Sequence, residues 1–543
     1  MNFVSVLSAL AIALVTTPFF ALCNRHILGA LQQSSYKNKV FFAWTKRKGN
    51  MVYSRYNQLS LLILLGITIL AIGFIFLGAN YAGYISNLSI LIFTSLFIVA
   101  SKNALKVPLV YTKRVKRIFI YQTIFIFILA TAFAFLAEQI AVWCNTSEYL
   151  QPLCAMRFAI FILLPLLFVP LLMLANSIDS LYSNKKNRQY VQAAKSKLTN
   201  CNCKKIAITG SFAKTSVKNI LKTILEQNYS VLATPKSYNT PVGIAKTIEN
   251  VDLNSYQYII CEMGARNVGD IAELCSIVQP DYAVLTGICP QHFESFKSIE
   301  AIIETKGEIL QGTNSDGVAV IAADINTQKL FEREDSVQKI LVGENAAFAP
   351  KNVHCSEEGT TFTIEIGDED VDFQTKLLGR HVADNIALAV ALCVQLNVPI
   401  DQIVKGVKML DFVPNRLALS TVNGVNILDD AFSANCVGAK CAIEVLKLFS
   451  GRKFVVTCGI VELGILEEQE NKKLGEHLVG LDSIILVGGN LVSIVKAGYL
   501  EGGGNSENIV IVPTLQEAQN ILKYQLKAGD TVLFLNDLPD IYN

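Results

Sequence analysis

The sequence contains few charged residues for its length. Asp, Glu, Lys and Arg make up 17% of its 543 residues, and its mean hydropathy is +0.40. A chain this apolar is not wholly soluble, so part of it is expected to lie in lipid. The formal net charge is only +2, and because no basic face is evident, no nucleic-acid partner is expected. The sequence also has no internal repeat and no low-complexity segment.

The 13 cysteines lack the paired spacing of a metal site. Cys201 and Cys203 are too close together for such a motif, and no second pair accompanies them. The others are scattered through apolar segments, which is typical of buried free thiols in a reducing cytoplasm. Cys144 and Cys154, in a predicted outer loop, are the one plausible disulfide.

Five long apolar runs lie in the first third of the chain. Each is long enough to cross about 30 Å of hydrocarbon as a helix. The first run has no basic segment before it and no evident A-x-A cleavage site, so we interpret it as an anchor rather than a signal peptide. Residues 1–182 are therefore predicted to form a transmembrane helical domain of about five spans: Phe3–Leu22, Ser60–Ala79, Ala82–Ala100, Ile118–Val142 and Arg157–Ile178.

The loops between these runs differ in charge. Residues 24–58 carry seven Lys or Arg and no acidic residue, and residues 101–117 carry six Lys or Arg. Because such loops stay on the cytoplasmic side, the N-terminus is predicted outside and everything after Tyr182 inside. The basic loops also predict contact with anionic membrane lipids.

Beyond residue 182, a polar linker, 183–203, leads into alternating strand and helix patterns, which are typical of α/β proteins with a parallel sheet. Two α/β domains are predicted, 204–414 and 415–543. The predicted strands are Ile206–Thr209, Tyr258–Glu262, Tyr282–Thr286, Val318–Ala322, Val425–Leu428, Lys453–Cys458, Ser483–Val487 and Asn508–Ile511. The predicted helices include Val217–Gln227, Val268–Val278, Ser298–Leu310, Asn385–Leu396, Val437–Leu448 and Leu515–Leu526.

The most informative segment is Ile206–Ser216, with the sequence IAITGSFAKTS. A short apolar strand runs into a turn and then a helix, so backbone N–H groups from Gly210 and Ser211 onward would surround a phosphate. Lys214 adds a cation, and Thr215 or Ser216 adds a hydroxyl for magnesium. The segment predicts a nucleotide triphosphate site, although an ordinary strand-turn-helix remains open from this segment alone.

Two positions depart from the general phosphate-loop pattern. Ile208 and Ala213 stand where that pattern has glycine. If the backbone at Ala213 has a positive φ, an alanine there costs roughly 1–2 kcal/mol.

Three further residues follow predicted strands. Glu262 ends a strand, where it could bind magnesium or only cap the next helix. His292 lies in the loop after the third strand and Lys306 in a helix, positions where solvated surface residues are common. Ligand-binding residues of α/β sheets gather at the same carboxyl ends of strands.

The order of these motifs resembles the Mur ligase family, the ATP-dependent amide-bond formers of peptidoglycan synthesis, and in particular its MurF type. The resemblance covers residues 204–470. It rests on TGSFAKTS at 209–216, KSYNTPVGIA at 236–245, CEMGARNVGDI at 261–271, PDYAVLTGICPQHFESF at 280–296, ETKGEI at 304–309, LGRHVADNIALA at 378–389, NRL at 415–417, DDAFSANCVGAKCAI at 429–443 and GIVELG at 459–464.

The resemblance implies roles for the phosphate-loop residues. Lys214, Thr215 and Ser216 would hold the β- and γ-phosphates of ATP and one magnesium ion, and Glu262 would complete that metal site. His292 would hold a second magnesium ion.

It also implies roles for four residues further along the chain. Lys306 would react with carbon dioxide to form a carbamate that bridges to metal. Asn385 would contact the adenine, Arg416 the nucleotide phosphates, and Asp430 the ATP ribose. The implied catalytic residues are Lys214, His292 and Lys306.

The implied fold is a Mur-ligase central ATPase domain and a Rossmann-like C-terminal domain behind the transmembrane domain. The implied activity is that of an ADP-forming ligase, which adds D-alanyl-D-alanine to UDP-N-acetylmuramoyl-tripeptide through an acyl phosphate. The expected location is the bacterial inner membrane, with the catalytic domains in the cytoplasm and other cell-wall enzymes as further candidate partners.

The chain departs from the family at three places. Predicted spans replace the soluble N-terminal domain that commonly binds the UDP-sugar. Ala213 replaces the family's phosphate-loop glycine, and Ala431-Phe432-Ser433 and Cys436 replace the usual Ser-Tyr-Asn and Pro. These differences leave two alternatives open: a ligase acting on a lipid-linked muropeptide or another carboxylate, and a membrane scaffold without catalysis.

Overall fold

The computed structural model describes residues 3–46, 108–145, 167–431, 435–489 and 491–536. These residues fall into two compact units, one within Met1–Lys186 and one within Asn187–Asp537. The helices that begin in the first unit are Phe3–Cys23, Arg25–Gln33, Asn38–Lys46, Lys113–Asn145 and Phe168–Thr199.

The predicted membrane spans are reproduced only in part. Within the described ranges, one helix is long and apolar enough to cross a membrane, over Lys113–Leu136. A second candidate arises if Ala9–Leu22 and Ile27–Gln33, which bend by 46°, form one broken span. The predicted spans Ser60–Ala79 and Ala82–Ala100 lie outside the described residues, as do residues 157–166 and Cys154. Among the described residues the structure therefore has one candidate span, or two, whereas the sequence predicts five for the whole chain.

The predicted linker, 183–203, is mostly helical. Helix Phe168–Thr199 continues through it, and the first strand begins at Lys204. Ala194 and Leu198 lie four residues apart on one helix face and are buried in an apolar cluster of the second unit. This burial explains why a polar sequence is helical here.

The second unit begins with a six-stranded parallel sheet in the order β2-β3-β1-β4-β5-β6. Its strands are mostly apolar, which is typical of a sheet whose two faces are both covered by helices. They are β1 (Lys204–Thr209), β2 (Val231–Ala233), β3 (Tyr258–Glu262), β4 (Tyr282–Leu285), β5 (Val318–Ala322) and β6 (Gln338–Val342).

Alternate strand residues enter two different cores. Ile206 and Ile208 of β1 pack with the helices on one face, and Ala207 packs with those on the other. The first face carries helices Lys214–Leu225, Arg380–Gln395 and Ile400–Lys408. The opposite face carries helices Pro241–Ile248, Asp270–Val278, Ile299–Gly312 and Gln328–Glu332.

Two more sheets follow. An antiparallel sheet consists of β7 (Lys351–Ser356), β8 (Gly359–Ile366) and β9 (Glu369–Thr375). The last sheet has the order β10-β11-β15-β12-β13-β14, parallel except for the β10-β11 pair. Its strands are β10 (Ala418–Val422), β11 (Val425–Asp430), β12 (Lys453–Thr457), β13 (Ser483–Val487), β14 (Ile509–Val512) and β15 (Thr531–Leu535). Its helices are Cys436–Leu446, Glu467–His477, Val492–Glu501 and Leu515–Gln525.

The predicted alternation of strands and helices in two parallel α/β sheets is confirmed. All eight predicted strands form, most of them with ends within one residue of the prediction. Helix Arg380–Gln395 begins five residues before its predicted start at Asn385. The sequence interpretation missed the antiparallel sheet β7–β9.

The loop between β1 and helix Lys214–Leu225 has a left-handed residue at its end. Ala213 is the N-cap of the helix, with φ 61° and ψ −6°. The sequence analysis treated a positive φ at Ala213 only as a condition, and the structure has a positive φ there. An L-residue other than glycine pays roughly 1–2 kcal/mol for this backbone geometry.

We expect Ala213→Gly to raise the free energy of unfolding by about 1 kcal/mol. Glycine removes the left-handed penalty, and its larger freedom in the unfolded chain offsets part of that gain. The measurement is thermal or urea unfolding of the detergent-solubilised chain. Ala497→Gly, inside helix Val492–Glu501, is the control and should instead cost about 1 kcal/mol. Equal losses from both variants would contradict the expectation.

Candidate active site

The phosphate loop is held by contacts to the end of β4. A side chain at Gly210, where φ is 149°, would collide with the Thr286 hydroxyl. That hydroxyl donates to the carbonyl of Phe212 at 2.5 Å. Ser211 is buried: its N–H donates to the carbonyl of Gly287 at 2.9 Å, and its hydroxyl donates to that of Cys289 at 2.9 Å. Ser211 therefore holds the loop in place, and both of its donors have protein partners.

The side chain of Lys214 folds back onto the phosphate loop. Its Nζ donates to the carbonyl of Gly210 at 2.6 Å and to that of Ser211 at 3.3 Å. Burial lowers the pKa of Lys214 to about 8, with the charge of Glu262 opposing this and that of Arg416 adding to it. A bound anion would favour the protonated form of this amine.

Glu262 lies at the end of β3 and is 1% exposed. Its Oε2 accepts from the Thr215 hydroxyl at 3.0 Å and from Lys218 Nζ at 3.1 Å. Its Oε1 accepts from Asn239 Nδ2 at 3.3 Å. The carboxylate thus faces the phosphate-loop helix, and both of its oxygens accept hydrogen bonds from side chains.

Lys218 and Asn239 were not assigned roles from the sequence. Lys218 is 2% exposed and also donates to the carbonyl of Lys236. Its position three residues after Thr215 places both side chains on one helix face, which is the signal the sequence offered. Asn239 lies in the quoted motif KSYNTPVGIA.

Lys306 is not the surface residue that its helical position suggests. It is 2% exposed, and no described residue forms a hydrogen bond or ion pair with its ammonium group. Burial, followed by the charge of Lys214, lowers the pKa of Lys306 well below the usual value for lysine. Both effects favour the neutral amine over the ammonium form. Its neighbour Glu308 accepts from the backbone N–H groups of Gly269 and Ala272, at the start of helix Asp270–Val278.

His292 lies in the loop after β4, with φ 54°. Its Nδ1 pairs with the carboxylate of Glu462, a residue of the motif GIVELG that follows β12. Burial lowers the pKa of His292, and the bond to Glu462 opposes that effect. The sequence interpretation gave Glu462 no role, because nothing local links two residues so far apart in the chain.

A cleft opens beside the helix that follows the phosphate loop. Ser216, Asn385 and Arg416 line it, which puts three predicted nucleotide-binding residues in one place. Asn385 is 9% exposed, and its carboxamide forms no hydrogen bond to the residues that the structure describes. Apolar walls with a few polar groups are typical of small-molecule sites. The lining residues are Ser216, Asn219, Ile220, Thr223, Leu377, Leu378, His381, Val382, Asn385, Leu410, Asp411, Phe412, Val413, Arg416 and Leu417.

Asp430 lies at the end of β11 and does not line the cleft. Its Oδ1 accepts from the backbone N–H of Leu417 at 3.2 Å. Burial raises the pKa of Asp430 to about 6, and the charge of Arg416 opposes that shift. Asp430 thus fixes the segment that carries Arg416 into the cleft.

Four of the predicted charged residues, Lys214, Glu262, His292 and Lys306, form a charged cluster that is coupled through Lys214. The charge of Lys214 lowers the pKa of both His292 and Lys306, and the charge of Glu262 acts on Lys214 and Arg416. Such mutual effects require short separations. Across the described ranges, no group of three or more His, Cys, Asp or Glu side chains is placed to hold a metal ion.

Two family sequence models match the chain. The Mur ligase middle domain matches residues 208–393. The Mur ligase, glutamate ligase domain, matches residues 415–536.

Curated relatives carry the name UDP-N-acetylmuramoyl-tripeptide--D-alanyl-D-alanine ligase. The relative from Escherichia coli (strain K12) is 31% identical over 290 residues, which cover 52% of this chain and 64% of the relative. The relative from Bacillus subtilis (strain 168) is 29% identical over 350 residues, which cover 63% of this chain and 75% of the relative. The chain thus spans just under two thirds of the E. coli relative.

Solved structures of the MurF type share the fold. MurF from Acinetobacter baumannii has a TM-score of 0.60 at 26% identity, covering 65% of this chain and 77% of that chain. MurF ligase from Thermotoga maritima in complex with ADP has a TM-score of 0.59 at 28% identity. The match covers 65% of this chain and 80% of the T. maritima chain. The chain belongs to the Mur ligase family, and within that family it resembles the MurF type.

Proposed function

We propose that this chain is an ATP-dependent, ADP-forming ligase that joins D-alanyl-D-alanine to UDP-N-acetylmuramoyl-tripeptide. The observation that carries the proposal is the clustering of Lys214, Glu262, His292 and Lys306 beside a cleft lined by Asn385 and Arg416. The names of the E. coli and B. subtilis relatives and the ADP complex of the T. maritima structure support it.

The chemistry fits this arrangement. A carboxylate is a poor electrophile, so it first attacks the γ-phosphorus of ATP, which gives an acyl phosphate and releases ADP. The amine of D-alanyl-D-alanine then attacks the acyl carbon, and a tetrahedral intermediate expels inorganic phosphate. Lys214, whose ammonium group donates to two loop carbonyls, would turn to the transferring phosphoryl group and neutralise its charge.

The residues also fit a magnesium ion bound together with the nucleotide. The Thr215 hydroxyl and the Glu262 carboxylate are 3.0 Å apart, and both are hard oxygen donors of the kind that Mg²⁺ prefers. Mg²⁺ at phosphate sites commonly uses one or two protein carboxylates together with phosphates and waters. When bound, such ions shield the negative charge of the phosphates. We propose two ions, the second near His292.

We propose that Lys306 reacts with carbon dioxide. Only a neutral amine attacks CO₂, and the buried Lys306 has a strongly lowered pKa and no hydrogen-bonding partner among the described residues. The nitrogen bonds to the carbon of CO₂ and loses a proton, leaving a carbamate. That anion would lie within the field of Lys214 and so supply a metal ligand that the bare amine cannot.

The decisive experiment is ATP turnover by the purified full-length chain in detergent. We expect ADP release that requires both UDP-N-acetylmuramoyl-tripeptide and D-alanyl-D-alanine, with a product heavier by the dipeptide minus water in mass spectrometry. Turnover only with a lipid-linked muropeptide would favour the second candidate, which the predicted spans in place of a UDP-binding domain motivate. ATP binding without turnover on any carboxylate would favour a scaffold.

Lys306→Ala should reduce turnover at least about 100-fold, because the site loses the anion that organises the transferring phosphoryl group. Acetate or formate should restore part of the rate by occupying the vacated position. Lys214→Ala, which removes a cation, should not respond to these anions. Equal rescue of both variants, or of neither, would contradict the role given to Lys306.

We also propose that the chain is a multi-pass protein of the bacterial inner membrane, with its ligase domains in the cytoplasm near anionic lipids and other cell-wall enzymes. The apolar runs, the basic loops 24–58 and 101–117, and the candidate span Lys113–Leu136 support this. Alkaline phosphatase fused after residue 80 or 150 should be active in the periplasm, and fusions after 110 or 190 should be inactive. An active fusion after residue 190 would contradict the predicted topology, in which the ligase domains lie in the cytoplasm.

A further inference from the structure

We propose that Glu462 is a positioning residue that sets the ring of His292 from the C-terminal domain. The inference rests on the proposed ligase function. Its consequence is that the charged cluster of the central domain is complete only when the loop after β12 is seated against it.

Glu462 contacts two separate loops of the central domain. Its Oε2 pairs with Nδ1 of His292, in the loop after β4. Its Oε1 accepts from Nη1 of Arg266 at 3.2 Å, in the loop after β3. Its backbone carbonyl accepts from the N–H of Glu294 at 3.2 Å. One residue of the C-terminal domain therefore fixes both loops.

The loop that carries Glu462 is rigidly attached to its own domain. Asn471 is fully buried; its Oδ1 accepts from the N–H of Ile460 and its Nδ2 donates to the carbonyl of Ile460, both at 2.9 Å. Nδ2 also donates to the carbonyl of Glu467 at 2.8 Å. The backbone of Glu462 is left-handed, with φ 64°, a geometry that persists only when surrounding contacts impose it. The carboxylate position is therefore set by the core of the C-terminal domain.

The contact with Nδ1 has a chemical consequence for His292. A carboxylate accepts the Nδ1 hydrogen, so the lone pair of the neutral ring resides on Nε2. Carboxylates that hold a histidine in this way fix both its tautomer and its ring angle, and they raise the ability of the other nitrogen to bind metal. Without Glu462, this carboxylate would no longer fix the tautomer and the ring angle of His292.

A purely structural explanation is that Glu462 only ties the domains together through Arg266. The two explanations differ at His292, because Arg266 contacts the opposite carboxylate oxygen. Removing the Arg266 side-chain charge should weaken the tie and leave the histidine tautomer in place. Removing the carboxylate should disturb both.

The experiment compares Glu462→Ala, Glu462→Asp, Arg266→Gln and the exposed control Glu468→Gln in the full-length chain in detergent. Glu462→Ala should lower kcat by about 10- to 100-fold and change the KM for ATP less than about threefold. Arg266→Gln should lower kcat less than threefold, Glu462→Asp should recover part of the loss, and the control should match the wild type.

The second readout does not depend on activity. The chain has five histidines, so ¹⁵N-histidine labelling gives few imidazole signals, and a His292→Gln variant assigns those of His292. In the wild type, Nε2 should show the shift of an unprotonated nitrogen. In Glu462→Ala, the two nitrogen shifts should move towards each other as tautomers mix, whereas Arg266→Gln should keep the wild-type shifts.

Equal kcat losses in Glu462→Ala and Arg266→Gln with unchanged His292 shifts would overturn the proposal in favour of a simple domain tie. An unchanged kcat in Glu462→Ala would also overturn it. If the wild type shows no substrate-dependent turnover, the ligase proposal fails, and the nitrogen shifts still decide whether Glu462 positions His292.

Discussion

The buried ion pair between Glu262 and Lys218 holds together the edge of the sheet that is formed by the carboxyl ends of its strands. The candidate site is built on this edge. Both side chains are 2% exposed, and Nζ lies 3.1 Å from Oε2. Lys218 also binds the carbonyl of Lys236, so one ammonium group joins the phosphate-loop helix, the end of β3 and the segment leading to Asn239. A buried charge that loses its partner is strongly unfavourable. Separating these three segments would therefore leave a buried charge without its partner.

Parallel pairing explains why motifs that are distant in sequence meet at that edge. β3, β1 and β4 are neighbours, with Glu262 opposite Ile208 and Leu285 opposite Thr209. Their carboxyl ends therefore lie side by side, and the loops that follow carry Lys214, Glu262 and His292 to one place. The apolar character of the strands predicted a parallel sheet, because strands buried on both faces appear in the sequence as continuous apolar runs.

The environment of individual side chains was harder to predict. Lys306 stands between Glu304 and Glu308 in the sequence, a pattern typical of a solvated helix face, yet it is buried. Its burial is set by elements distant in the chain, and a local window contains no information about them. The same holds for Glu462, which lies 170 residues from its partner His292. In the N-terminal region, hydropathy measures apolar length and not helix continuity, so it did not reveal the 46° bend between Ala9–Leu22 and Ile27–Gln33.

The two buried lysines make folding a proton-releasing process. The ordinary pKa of Lys214 is 10.5, and burial in the fold lowers it to about 8. Burial likewise lowers the pKa of Lys306. Between the lowered and the ordinary pKa, the unfolded chain binds more protons than the folded one. The free energy of unfolding therefore decreases as pH falls through this window and levels off below the lowered pKa. An anion that settles against Lys214 returns the proton of that amine, so ligand capture and proton uptake are thermodynamically linked in this protein.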